Sequence, residues 1–236
     1  MRLLFITDIH GHYDGMLQLF DSAQFEPAQD LLVVGGDMID RGPDSGKVLK
    51  GYKLLQQMYP DNIKVLIGNH EQMMLDFYWK DDPMWKTYGG DESQASFEQV
   101  FANGALEDYL LWVDRLPMVY ETEKYIFTHA GINPDFTLNE QTRDVLWMNR
   151  KEFSETVNVD ALQRLTQGRI IAHGHTPGTA VKFDGLRLNC DLGSGVFPSR
   201  FAALALVDLT NDKYYRYSFQ HNSVRLHDIT WNVSSE

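Results

Sequence analysis

Five short polar clusters follow runs of apolar residues: TDIHG (7–11), GGDMIDRG (35–42), GNHE (68–71), THAG (128–131) and HGHTP (173–177). They carry Asp8, His10, Asp37, Asp40, Arg41, Asn69, His70, His129, His173 and His175. Six of the eight histidines lie in or beside these clusters when His12 is counted, leaving only His221 and His227 apart. Carboxylates, imidazoles and an amide gathered in this way are the donor groups of a metal centre. Asp8 and His10 are two apart, so on an extended chain both side chains point to one side and can reach one ion. The two oxygens of Asp37 can bridge two cations. Asn69 offers an amide oxygen, and His129 and His175 offer imidazoles. Six ligands with Asp37 shared suit a pair of ions about 3.5–4 Å apart. Mixed oxygen and nitrogen donors favour Mn, Fe or Zn over Ca or Mg. Taken singly, each cluster also reads as a turn or a helix cap, and only their joint occurrence favours a two-metal site.

The elements that must position these residues alternate along the first third of the chain. Apolar runs at 2–7, 31–35 and 63–67 predict strands, and helical spacing at 13–23, 44–59 and 70–79 predicts helices between them. That alternation argues for a parallel sheet with covering helices, whose sites form beyond the carboxyl ends of the strands. YIFTHAGI (125–132) and RIIAHGHTP (169–177) repeat the strand-to-loop design. Residues 80–107 are expected to form an irregular, partly helical insertion or lid, with Phe77, Tyr78, Trp79 and Trp85 read as core more readily than as a lid over substrate. Short β-like runs at 179–184, 186–190, 202–209, 213–219 and 224–230 are consistent with a second sheet. With no repeat and no break in composition, one domain over 1–236 is preferred.

Composition narrows the function. The formal charge of −12 repels polyanions, which argues against nucleic-acid partners, although a local group of cations or bound metals could still hold a phosphate. No apolar run approaches the roughly 18 residues of a membrane span. Met1 to Ile6 reads as the first strand rather than a leader, and the single Cys190 suits a reducing cytoplasm. The expected setting is cytoplasmic, with no membrane partner.

DIHG, GDMIDRG, GNHE, HAG and HGHT, in this order from residue 7 to about 195, resemble the phosphoprotein phosphatase family of metallophosphoesterases, especially its bacterial and phage-type serine/threonine phosphatases. The resemblance implies a four-layer α/β/β/α sandwich, two mixed β-sheets flanked by helices. It also implies two divalent metals, with Asp8 and His10 on the first, Asp37 bridging, and Asn69, His129 and His175 on the second. A water bridging two such ions loses a proton near neutral pH and can attack phosphorus in line. Arg41 is placed to fork onto phosphate oxygens. His70, beside a ligating Asn69, is better cast as the acid that protonates the leaving oxygen, oriented by Asp40. The family also implies a second phosphate-binding arginine, for which Arg150 in VLWMNRKEF is favoured over Arg143, Arg164 and Arg169.

Several residues depart from the pattern or read as bland. Thr7 replaces the usual glycine before Asp8 and is expected to alter loop packing rather than ligation. Pro177 stands where a GHxH pair would place its second histidine, so His175 is taken as ligand and His173 as its support. Asp191 in DLGSG is expected to support His175. His12 reads as a surface or capping residue. The reading that follows is a phosphomonoesterase acting on a phosphorylated protein or small phosphoester, with phosphoserine, phosphothreonine or phosphotyrosine as substrate. A dinucleoside polyphosphate hydrolase is the alternative, weighed down slightly because that group tends toward GNHD where this chain has Glu71. An inactive, metal-stabilised binding protein is a third reading, which the complete ligand set disfavours.

Overall fold

The computed structural model describes residues 1–101 and 104–231. In chain order the elements are β1 (Leu3–Ile6), α1 (Tyr13–Ser22), β2 (Leu31–Val34), α2 (Ser45–Met58), β3 (Ile63–Val65), α3 (Asn69–Lys80), α4 (Met84–Thr87), α5 (Gly90–Val100) and α6 (Ala105–Asp114). They continue with β4 (Val119–Glu121), β5 (Tyr125–Thr128), α7 (Val159–Thr166), β6 (Ile170–His173), β7 (Lys182–Phe183), β8 (Arg187–Asn189), β9 (Ala203–Asp208), β10 (Lys213–Ser218) and β11 (Ser223–Asp228).

Side-chain alternation along the strands builds the layers. In β1, Leu4 and Ile6 join the core under α1 and α2, whereas Phe5 joins the core between the sheets. Leu32 and Val34 against Val33 in β2, and Leu204 and Leu206 against Ala205 in β9, divide in the same way. Tyr125 and Phe127 of β5 face the inter-sheet core, while Ile126 turns outward to Phe153 and to Leu162 of α7. A strand buried on both faces reads as a continuous apolar run, which is why LLFI and LLVV carry no polar alternation. The result is the expected four-layer α/β/β/α sandwich, with a mixed sheet in each inner layer.

The first sheet has the order β11-β10-β9-β1-β2-β3, and the second β4-β5-β6-β8-β7. β1, β2 and β3 run parallel, as do β5, β6 and β8. The structure overturns one expectation. The late β segments do not all form a second sheet: β9, β10 and β11 extend the first, with β9 antiparallel to β1. Apolar runs predict burial but not which edge a strand pairs with. β1 has an open edge opposite β2, and the fully buried ALALVD segment occupies it.

Residues 84–87, 90–100 and 105–114 fold as α4, α5 and α6. α5 carries few apolar residues and packs closely through small ones. Its Ser96 Oγ accepts the Gly46 N–H of α2 at 3.0 Å, and a Cβ on Gly46 would meet the Ser96 carbonyl oxygen at 3.0 Å.

Candidate active site

The five clusters converge where β1, β2, β3, β5 and β6 end. Asp8, Asp37, Arg41, Asn69, His70 and His175 line a cleft of about 200 Å³, completed by Tyr88, Trp147, Pro177, Asp191 and Val196. His10 and His129 lie beside it, 1% and 0% exposed.

Asp37 is its centre. Donor atoms of His10, Asp37 and His70 lie within 4.8 Å of one another, and so do those of Asp37, His129 and His175. One Asp37 oxygen, Oδ2, stands 3.4 Å from His129 Nε2, 3.8 Å from His10 Nε2 and 3.9 Å from His70 Nε2. The other accepts the His70 N–H at 3.0 Å, at the positive N-terminal end of α3. Only a glycine fits beside it, because a Cβ on Gly68 would lie 2.2 Å from that oxygen. Asp8 is held by Thr7 Oγ1, which donates to it at 2.6 Å, and by the His175 N–H, 3.1 Å from each carboxylate oxygen. Thr7 therefore does more than pack a loop.

The donor set suits divalent cations. His10 donates from Nδ1 to the Ile39 carbonyl and His129 from Nδ1 to the Gly35 carbonyl, both at 2.9 Å, which directs each Nε2 lone pair inward. His129 Nε2 then faces Asn69 Oδ1 at 2.9 Å and His175 Nδ1 at 3.2 Å. Burial holds His10, His129 and His175 neutral, the last with its pKa pushed down to about 3. Burial, then the neighbouring Asp8 and Glu71, push the Asp37 carboxyl well above its usual range, and burial and Asp8 do the same to Asp191. Neutral imidazoles with inward lone pairs and crowded acids form a cage whose charge a cation would balance.

Two further groups stand ready at the cleft. Arg41 donates from Nη1 to His10 Nε2. Its backbone and stem lie against glycines: a Cβ on Gly89 would meet Arg41 N at 2.8 Å, and one on Gly195 would meet Arg41 Cβ at 2.9 Å. His70 Nδ1 lies 2.6 Å from Asp40 Oδ2, which leaves Nε2 toward Asp37 and the cleft. Asp40 is fully buried and receives Ser93 Oγ at 2.6 Å and Trp85 Nε1 at 2.9 Å. Burial raises its pKa to about 7 despite those bonds. Trp85 is therefore a core residue that also anchors a catalytic candidate.

Other candidates lie elsewhere or act differently. Arg150 does not line this cleft but a neighbouring one, with His173. Arg143 donates to Gln72 Oε1 at 2.8 Å and to the Asp114 carbonyl at 3.0 Å, and Arg169 pairs with Glu121 at 2.6 Å. Arg164 lies in the last turn of α7. His173 donates to the Gly174 carbonyl and packs against Phe153, with burial lowering its pKa to about 4. Asp191 accepts the Gly193 N–H at 2.7 Å. His12 packs against Phe219 with its ring tilted, and His227 stacks on Tyr214.

Sequence reasoning missed Tyr88 and Trp147 at the cleft, the Ser93 hydroxyl, and the role of Glu71. Glu71 is fully buried, and its carboxylate accepts the N–H groups of Asp37, Met38 and Gly68 at 2.8, 2.7 and 2.9 Å, with Ile39 N at 3.3 Å. Asp8, His10, Asp37, Asp40, Arg41 and His175 all stand in the left-handed backbone region, with φ between +47° and +73°. No periodicity reports that.

The family profile described as calcineurin-like phosphoesterase matches residues 1–229. A symmetrical bis(5'-nucleosyl)-tetraphosphatase of Erwinia tasmaniensis is 29% identical over 140 residues, covering 58% of this chain and 47% of its own. The protein of the same name from Escherichia coli K12 is 29% identical over 150 residues, covering 61% and 50%. The chain thus spans about half the length of these curated relatives. Among solved structures, a protein serine/threonine phosphatase from Saccharomyces cerevisiae shares the fold with a TM-score of 0.67 at 17% identity, covering 98% of this chain and 81% of the other. A cold-active protein-tyrosine phosphatase of a Shewanella species gives a TM-score of 0.62 at 19% identity, covering 95% and 80%.

Proposed function

The chain belongs to the calcineurin-like phosphoesterase family, and on that premise we propose that it is a metal-dependent phosphomonoesterase acting on phosphoserine or phosphothreonine in proteins or on small phosphoesters. The observation that carries this reading is the position of Asp37 between two donor groups, in a cleft it shares with Arg41 and His70.

Asp8, His10 and Asp37 would hold one divalent ion, and Asp37, Asn69, His129 and His175 the other, with Mn favoured and Fe or Zn also suited to the donors. When bound, the ions supply positive charge to the phosphoryl oxygens and activate a water for attack near neutral pH. The chain's own groups do the rest. Arg41 offers two parallel N–H donors to the non-bridging phosphate oxygens, which fixes the phosphorus in the cleft. His70 passes a proton from Nε2 to the leaving oxygen while Asp40 holds Nδ1 and stabilises the imidazolium. Burial, then Arg41, depress the His70 pKa in the free enzyme, and an incoming phosphate dianion would raise it. Ser93 and Trp85 keep Asp40 from turning away.

Asp37→Asn should reduce para-nitrophenyl phosphate hydrolysis by more than a thousandfold and lower the Mn content of the purified protein. Wild-type turnover in that variant would remove Asp37 from the site. A second reading, hydrolysis of a dinucleoside polyphosphate, is favoured by the names of the curated relatives. Turnover of diadenosine tetraphosphate against a phosphopeptide on one Mn-loaded sample separates the two.

A further inference from the structure

Beside the catalytic cleft lies another of about 360 Å³. They share Pro177, and Thr176 of the second directly follows His175 of the first. The walls of the second cleft carry Arg150, Lys182 and Arg187 against one acid, Asp184, in a chain whose formal charge is −12. Asp184 is already engaged: Oδ2 accepts Arg187 Nε at 2.8 Å, and Oδ1 accepts the N–H groups of Leu186 and Arg187 at 3.1 and 2.8 Å. Arg187 is pinned as well, donating from Nη1 to the Phe153 carbonyl with its guanidinium 5.1 Å from the Phe153 ring centroid. Arg150 and Lys182 have no side-chain hydrogen bond or ion pair among the described residues.

Unneutralised cations gathered in one concavity of an acidic protein produce a local positive potential, focused where low-dielectric walls surround it. Solubility does not require that arrangement. The volume falls in the range of about 300–1,000 Å³ typical of small-molecule sites. The shared Pro177 sets its rim against the catalytic cleft.

We propose that the cleft lined by Arg150, Lys182 and Arg187 is an anion subsite that binds a second phosphate of the substrate, covalently joined to the group being hydrolysed. The inference rests on the reading of the neighbouring cleft as a phosphoester hydrolase. Under it, among small phosphoesters the protein favours those bearing two or more phosphates over simple monoesters. Lys182 is the selecting residue of choice for a test, since it lies on β7, at the edge of its sheet, and takes no part in the catalytic cleft.

Propane-1,3-bisphosphonate, which cannot be hydrolysed, is titrated by calorimetry into the Mn-loaded protein and compared with propylphosphonate. Lys182→Glu should weaken the bisphosphonate at least tenfold and leave the monophosphonate and para-nitrophenyl phosphate turnover within about twofold, the second phosphonate being what Lys182 holds. Lys182→Arg should restore bisphosphonate affinity. Equal weakening of both ligands would reduce the effect to a general field and overturn the subsite, as would unchanged bisphosphonate affinity. A loss confined to a phosphopeptide with acidic flanks would assign the cleft to a peptide and overturn it too. Absence of para-nitrophenyl phosphate turnover in the wild type would count against the phosphatase reading, while the calorimetric comparison still decides the subsite.

Discussion

Glu71 contributes no atom to the candidate cleft, yet it holds the backbone on which Asp37 stands. Its two oxygens take N–H groups from Gly68 and from three consecutive residues, Asp37, Met38 and Ile39. Burial lifts its pKa to about 7 against the pull of those bonds. Glu71→Gln replaces one acceptor with an NH₂ donor that faces other donors. Leaving a buried group unsatisfied costs about 1–3 kcal/mol. The variant should lose that much in urea unfolding and bind Mn more weakly, whereas an unchanged Mn affinity would separate Glu71 from the geometry of Asp37. The sequence made the donor types legible, because few folds place so many carboxylates and imidazoles at strand ends. The grips on those donors were not legible. By sequence Thr7 reads as a packing change, yet its hydroxyl holds Asp8, and Arg150, matched by local motif, lies in the neighbouring cleft. Motif spacing reports which side chains are near in sequence, not which wall of a loop they face.

At the scale of elements, one partly buried pair ties three together. Arg2, just before β1, donates to both oxygens of Asp30, just before β2, and reaches the carbonyls of Ala23 and Gln24 at the end of α1. Burial alone would raise the Asp30 pKa, but the Arg2 bond and the Glu26 N–H outweigh it and leave it below its usual value. A carboxylate with a depressed folded pKa stabilises the fold above its unfolded pKa of about 4 and loses that contribution as pH falls through the folded value. The melting temperature of Asp30→Asn should therefore lie below wild type at pH 6–7, with the gap closing below pH 4. A gap independent of pH would mean that the ion pair contributes nothing. Elements with strong periodicity were legible to within a few residues, as the predicted 44–59 and the observed Ser45–Met58 show. α5 was not, because it buries Gly90, Ser93 and Ser96 with one large apolar residue, Phe97, rather than an apolar stripe. Sheet membership of β9 to β11 was equally hidden, since pairing partners leave no mark in a single strand.

Over the whole molecule, two sheets share one inner core while their outer faces are covered separately. Phe5 of one sheet meets Phe127 of the other with ring centroids 5.1 Å apart. The polar clusters extend from that rigid frame as short connections, and their conformation is set by the frame rather than by local preference. Six residues bearing the proposed chemistry stand in left-handed backbone, each at a cost on the order of 1–3 kcal/mol for a residue other than glycine. The strain is relieved as soon as the loops relax, even if every strand remains paired. On warming, then, the activity of this protein should fail before its shape does. Para-nitrophenyl phosphate turnover should fall with a midpoint several degrees below the loss of far-ultraviolet circular dichroism, and coincident midpoints would show that loops and sheets melt as one unit. The proposed activity would fall silent while the strands were still in place.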